Sequence, residues 1–255
     1  MAALLPLNDD YPVRRAPVVA FTLIAVNVLV YLASPQASTA VWYPVDMVGR
    51  YCAIEDYFMR WGAIPNEMLG RVDQAPPLTE ACGAIDGKSV WLSVFASMFV
   101  HAGPMHVIGN MVYLFVFGPV VEDRIGRVRF LGLYLVTGLA AAYGHALTDI
   151  DGTVPMVGAS GAISGVLGAY LVVQFRSRVT SLVFGVVPMR LPGWALVGSY
   201  FAFQYLLYVT TSYAPGAGSN VAYAAHVYGF IAGVIAGLAV YRLRWRSGTR
   251  LSDVY

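Results

Sequence analysis

Positions free of Asp, Glu, Lys and Arg gather into long runs along this chain, at residues 17–34, 89–121, 130–148, 152–175 and 191–241. A helix rises 1.5 Å per residue, so about 20 apolar residues cross the roughly 30 Å of hydrocarbon in a bilayer. The runs 17–34, 130–148 and 152–175 are each read as one span. The run 191–241 holds two, divided by the turn-forming stretch 211–220 with Pro215, Gly216 and Gly218. The run 89–121 is too long for one span. His101-Ala102-Gly103-Pro104 interrupts it, and proline favours the first turn of a helix, so an approach segment is expected at 89–102 and a helix from about 104 to 121. The pattern predicts an all-α polytopic membrane protein with a single domain over 1–255. Its six transmembrane helices are expected at about 17–34, 104–121, 130–148, 157–175, 194–210 and 221–241. The run 179–189 is too short to cross and is expected at or near the interface.

Composition agrees with this reading. The 255 residues are 58% hydrophobic and 12% charged, with a mean hydropathy of +0.64. A soluble domain carries about 25% charged residues, so an ordinary cytosolic enzyme, a coiled coil and a disordered chain are excluded. The charges divide unequally between the two faces. With the N-terminus inside, inner segments hold 12 basic and 5 acidic residues and outer segments hold 4 and 9. By the positive-inside rule both termini are then cytoplasmic. The expected location is a cell membrane, and specifically a bacterial inner membrane. Arg14-Arg15 before an apolar run also fits a signal peptide, but the run is long enough to span and no soluble domain follows it.

The large first outer loop, 35–88, is rich in aromatics and prolines and is expected to fold on the membrane surface. It holds both cysteines, Cys52 and Cys82, on the oxidising side. They form either a disulfide or two buried thiols. No P-loop, dinucleotide fingerprint, internal repeat or zinc spacing is present. No cofactor, metal or nucleic-acid partner is expected.

Polar residues inside an apolar run are costly, so they are paired or functional. The up-down order makes spans 2, 4 and 6 all enter from the outer face. His106 lies in the first turn of span 2, with Asn110 one turn deeper on the same side. Ser160 lies early in span 4 and His226 about six residues into span 6, so all four share one shallow depth. Span 4 carries Gly158, Gly161, Gly165 and Gly168, and span 6 carries Ala225, Gly229, Gly233 and Gly237. Such stripes let helix backbones approach closely in lipid, which would bring Ser160 and His226 within hydrogen-bond reach. A serine needs a base to become nucleophilic, and acyl transfer needs donors for the oxyanion. His226 would be the base; His106, Asn110 and the Ser160 N–H would be the donors. Spans 4 and 6 contain no acid to orient His226, so the residues suggest a dyad.

At these residues the chain resembles the rhomboid intramembrane serine proteases. Gly158-Ala159-Ser160-Gly161 is similar to the family's GxSG. His101 to Asn110 is similar to its HxxxxHxxxN pattern, and His226 before the glycine stripe resembles its catalytic histidine. The similarity runs over about 89–241 and reaches weakly into Trp61-Gly62-Ala63-Ile64-Pro65. It implies a six-helix rhomboid-like bundle in which Ser160 is the nucleophile, His226 the base, and His106 and Asn110 the oxyanion neighbours. His101, Gly158 and Gly161 would support them. It also implies cleavage of transmembrane segments in single-pass or multi-pass substrates within the lipid bilayer, with span 5 and the loop 211–220 as side gate and lid. Many bacterial members carry a tyrosine four residues after the nucleophile. Here that residue is Ser164, which leaves open what holds His226. Ser164 itself is expected to pack helices. The alternative is a catalytically inactive relative that binds membrane helices. A transporter or metal channel using His101, His106 and His226 is disfavoured, because no span contains a carboxylate.

Overall fold

The structure, a computed structural model, describes residues 4–37, 43, 44, 46–71, 82, 88–213 and 222–246. In chain order the elements are β1 (Leu4–Asp9), α1 (Val18–Ala33), α2 (Met47–Trp61), α3 (Pro65–Met68), α4 (Val90–Ser97), α5 (Pro104–Ile125), α6 (Arg127–Thr148), α7 (Ser160–Val173), β2 (Arg178–Val183), β3 (Val187–Pro192), α8 (Gly193–Tyr213) and α9 (Tyr223–Arg246). Helices α1, α5, α6, α7, α8 and α9 stand at the six expected positions. Among the described residues, α5, α6 and Tyr223–Arg242 of α9 are long and apolar enough to cross a membrane, whereas α1 and α7 are apolar but shorter. The stretch 211–220, expected as a turn and lid, lies outside the described residues from 214 onward.

The fold is mostly helical but not all-α. β1, β2 and β3 form an antiparallel sheet in that order, with Leu4 opposite Val183 and Val179 opposite Leu191. The run 179–189, expected as an interfacial segment, is most of the β2–β3 hairpin. Six-residue strands of period two escape a search for charge-free runs of span length.

The second expected helix also extends further than predicted, through Glu122-Asp123-Arg124 to Ile125. All three charged side chains are buried. Glu122 accepts hydrogen bonds from the N–H groups of Val19 (3.1 Å) and Ala20 (2.7 Å), donors in the first turn of α1. That turn has no side-chain cap of its own, so a carboxylate 102 residues away caps it. Asp123 accepts from the Tyr11 hydroxyl (2.9 Å) and the Arg15 N–H (3.1 Å). The Arg124 guanidinium lies 4.5 Å above the Tyr11 ring and donates to Gln174. The helix can carry these charges inward because each has partners.

Apolar side chains fill both the core and much of the surface. His101, Thr137 and Ser164 are fully buried among them, while Leu29, Val136 and Ile235 are each more than 60% exposed. An apolar outer surface suits a protein surrounded by hydrocarbon.

The closest helix pair is α7 and α9. Their glycine stripes meet in parallel register. A Cβ at Gly229 would collide with the Gly161 carbonyl, one at Gly233 with the Gly165 carbonyl, and one at Gly168 with the Phe230 carbonyl. The stripes therefore let backbone touch backbone, as their spacing predicts.

Cys52 of α2 and Cys82 are joined by a disulfide, with Cα atoms 5.2 Å apart and a sequence separation of 30 residues.

Two outcomes follow from this packing. Gly233→Ala should destabilise the protein by about 1–3 kcal/mol, because backbone cannot retreat as a side chain can. Gly132→Ala, at a site with open space, should not. Thermal unfolding of the purified protein in detergent compares the two. Replacing Cys52 and Cys82 together by serine should cost about 3–4 kcal/mol through loop-closure entropy, read by the same melt.

Candidate active site

The loop before α7 is tied down on both sides. Ala63 and Met156 exchange backbone hydrogen bonds of 3.0 and 2.8 Å, and the Gly158 N–H donates to the Ser97 carbonyl at the end of α4 (2.8 Å). The Ala63 side of this bridge belongs to Trp61-Gly62-Ala63-Ile64-Pro65. Lys88 braces the same stretch by donating to the Gly62 carbonyl (3.1 Å) and pairing with Glu67. Burial pushes the Lys88 ammonium below the usual lysine range, and Glu67 opposes that shift. Gly158 has φ +124, a conformation that suits glycine. From this fixed point the chain enters α7 at Ser160.

Ser160 stands at the first position of α7, so its backbone N–H has no partner within the helix. His226 is three residues into α9, which begins at Tyr223, two residues later than the expected start of that span. Both side chains therefore sit in the first turn of neighbouring parallel helices. The Ser160 hydroxyl lies 2.8 Å from His226 Nε2.

The other ring nitrogen finds a partner that the sequence reading missed. His226 Nδ1 is 2.8 Å from the side-chain oxygen of Gln204, on α8. A carbonyl oxygen can only accept, so Nδ1 carries the proton and Nε2 offers its lone pair to Ser160. Spans 4 and 6 hold no acid, and the acceptor is an amide in span 5. Yet Gln204 is an uncharged polar residue inside an apolar run, the same signal that pointed to His106 and Asn110.

One turn deeper, Ser164 is fully buried and 3.2 Å from the Tyr200 hydroxyl of α8. It faces a helix neighbour, in keeping with a packing role.

His106 faces the same backbone turn as Ser160. A Cβ built at Gly158 would lie 2.8 Å from His106 Nε2 and 3.6 Å from the Ser160 oxygen. The Ala102 N–H donates to His106 Nδ1 (3.4 Å), which leaves the proton on Nε2, the nitrogen beside Gly158. Asn110 is buried nearby, but its amide donates back to the His106 carbonyl (3.0 Å). It steadies the turn that carries His106. His101 is fully buried, with Nδ1 on the Phe99 carbonyl (3.2 Å) and its ring edge-on to His106 at 5.1 Å. Gly161 packs on Ala141 of α6 and near Ala225 of α9, so a side chain there would push α7 off its neighbours.

This arrangement pairs a serine hydroxyl with an imidazole nitrogen and sets the His106 ring beside the glycine two residues before that serine. Such a site can form and break an acyl ester.

Comparison with known proteins gives the same direction. The family model described as the Rhomboid domain matches residues 88–243. The chain is 33% identical to Rhomboid-related protein 2 of Mus musculus over 155 residues, covering 56% of this chain and 46% of that protein. It is 31% identical to RHOMBOID-like protein 5 of Arabidopsis thaliana over 121 residues, 41% of this chain and 39% of the other. Against Rhomboid protease GlpG of Haemophilus influenzae it is 28% identical over 160 residues, 63% of this chain and 74% of the relative. The match thus spans less than half of the mouse and plant proteins and about three quarters of the bacterial one.

Gly158→Ala tests the geometry without removing a polar group. The added methyl meets the His106 ring and strains a positive φ. Labelling of Ser160 by a fluorophosphonate should slow by about 10²-fold, as when one oxyanion donor is lost. Far-ultraviolet circular dichroism should remain that of the parent.

Proposed function

Since the chain belongs to the rhomboid family, whose named relatives include proteases, we propose that it is an intramembrane serine endopeptidase. The observation that carries this reading is the 2.8 Å contact between the Ser160 hydroxyl and His226 Nε2. In the proposed reaction His226 Nε2 takes the Ser160 proton as the oxygen attacks the scissile carbonyl carbon. The negative charge that develops on the carbonyl oxygen is met by the Ser160 N–H and by His106 Nε2–H, with Asn110 holding the His106 turn. The protonated His226 then gives its proton to the departing amine. Water, deprotonated by the same nitrogen, releases the acyl group and restores Ser160.

The membrane setting extends the proposal. Six helices cross the bilayer, α1, α5, α6, α7, α8 and α9, with both termini on the cytoplasmic side of a bacterial inner membrane. The 22 residues of α5 reach about 33 Å, close to the hydrocarbon thickness. That length separates the serine–histidine end from the end bearing the sheet and the buried carboxylates. The site then opens near the outer surface, where water can enter, and the 35–88 segment rests outside. Substrates are transmembrane segments of single-pass or multi-pass proteins. A helical peptide bond is shielded, so segments with Gly or Pro near their outer ends should be cut fastest.

Ser160→Ala decides the matter. Cleavage of a model single-pass substrate in liposomes should fall by at least about 10³-fold, with expression and melting unchanged. Undiminished cleavage by this variant would sink the assignment. A wild-type chain that binds such helices but never cleaves them, and whose Ser160 stays unlabelled, would mark it as a binding protein instead.

A further inference from the structure

We infer that Gln204 is the positioning residue that holds His226 in its active tautomer, so that α8 supplies the third member of the catalytic arrangement. This rests on the protease reading above and deepens it.

The sequence leaves His226 without an acid, since α7, α8 and α9 contain no Asp or Glu. The position four residues after the nucleophile, Ser164, is turned towards Tyr200. Without an acceptor at Nδ1 the neutral ring is free to carry its proton on either nitrogen. Protonated at Nε2, it would donate to Ser160 and could not take the hydroxyl proton. The Gln204 oxygen, 2.8 Å from Nδ1, removes that alternative.

The setting shows that this amide is placed for the purpose. Phe203, Tyr205 and Leu206 around it in sequence are more than half exposed and apolar. An unpaired amide on such a helix would cost free energy. Gln204 instead turns inward to the His226 ring nitrogen that does not face Ser160. The contact is part of a matched pair. Tyr200 and Gln204 are four residues apart on α8, and Ser160 and Ser164 are four apart on α7. The lower rung joins Tyr200 to Ser164 directly, and the upper rung joins Gln204 to Ser160 through His226. Successive turns therefore set α8 against α7 at the height of the nucleophile.

A glutamine differs from a carboxylate in one testable respect. It fixes the tautomer but adds no charge to stabilise the imidazolium. Gln204→Glu keeps an acceptor in place and adds that charge, so the base should hold its proton more tightly. The acid limb of the kcat–pH profile should then move to higher pH.

The test uses the full chain in liposomes with a model single-pass substrate. Gln204→Met, which keeps the length and removes the acceptor, should lower kcat by about 10²–10³-fold with little change in KM. Gln204→Glu should restore kcat to within about tenfold of wild type, with the shifted acid limb. Tyr200→Phe, which breaks only the lower rung, should leave kcat near wild type. Unchanged kcat for Gln204→Met would overturn the inference while leaving the protease reading intact. So would an equal loss in Tyr200→Phe, because the effect would then lie in seating α8. If the wild-type chain neither cleaves nor takes a fluorophosphonate at Ser160, the protease reading fails and this inference falls with it.

Discussion

The contact of backbone with backbone between α7 and α9 governs the rest of the molecule. Gly229 and Gly233 lie against the carbonyls of Gly161 and Gly165, so the two helix axes come as close as their main chains allow. Lipid tails offer no hydrophobic drive for helix pairing, and close packing takes its place. The same proximity sets the register of the first turns, and with it the 2.8 Å between Ser160 and His226. The site is therefore a by-product of how tightly two helices fit. Any residue larger than glycine in the stripe alters the packing and the chemistry together.

A second constraint is that polar groups in an apolar envelope must find each other. At one end the solution is a chain of neutral donors and acceptors running from Gln204 through His226 to Ser160. At the other it is a charged cluster. There Glu122 and Asp123 receive backbone donors from the start of α1 and the residues before it, and Asp9 accepts from Ser177 and the Tyr170 hydroxyl. Burial raises the Asp9 carboxyl above its ordinary value, and those hydrogen bonds act against the rise. At the serine–histidine end the described hydrogen-bond partners of His226 are Ser160 and Gln204, neither of them a carboxylate, so the proposed chemistry moves protons between serine, histidine, substrate and water.

Much of this was legible from residue types. Charge-free runs located six apolar helices, and the small-residue stripes identified the pair that packs most closely. Counting depth from the outer ends gathered Ser160, His226 and His106. What escaped had specific causes. Strands of six residues leave no mark on a hydropathy scan. The helix end at 121 was misplaced because Glu122, Asp123 and Arg124 look like solvent-facing residues until their partners from distant sequence are known. Gln204 was overlooked because the question posed was where an acid might be, although histidine needs only an acceptor. Asn110, expected beside the oxyanion, also donates from its amide to the His106 carbonyl, a local contact that the residue type alone does not show.

The sheet couples the start of the described chain to residues far along it. β1 begins at Leu4, yet its pairing partner β2 is not made until residues 178–183 have left the ribosome. Through all the intervening synthesis, the edge of β1 and the Asp9 carboxylate wait without their native neighbours. Contacts this far apart in sequence form late and slowly. The N-terminal strand can pair with β2 only after the whole of α7, with Ser160 at its start, has been synthesised.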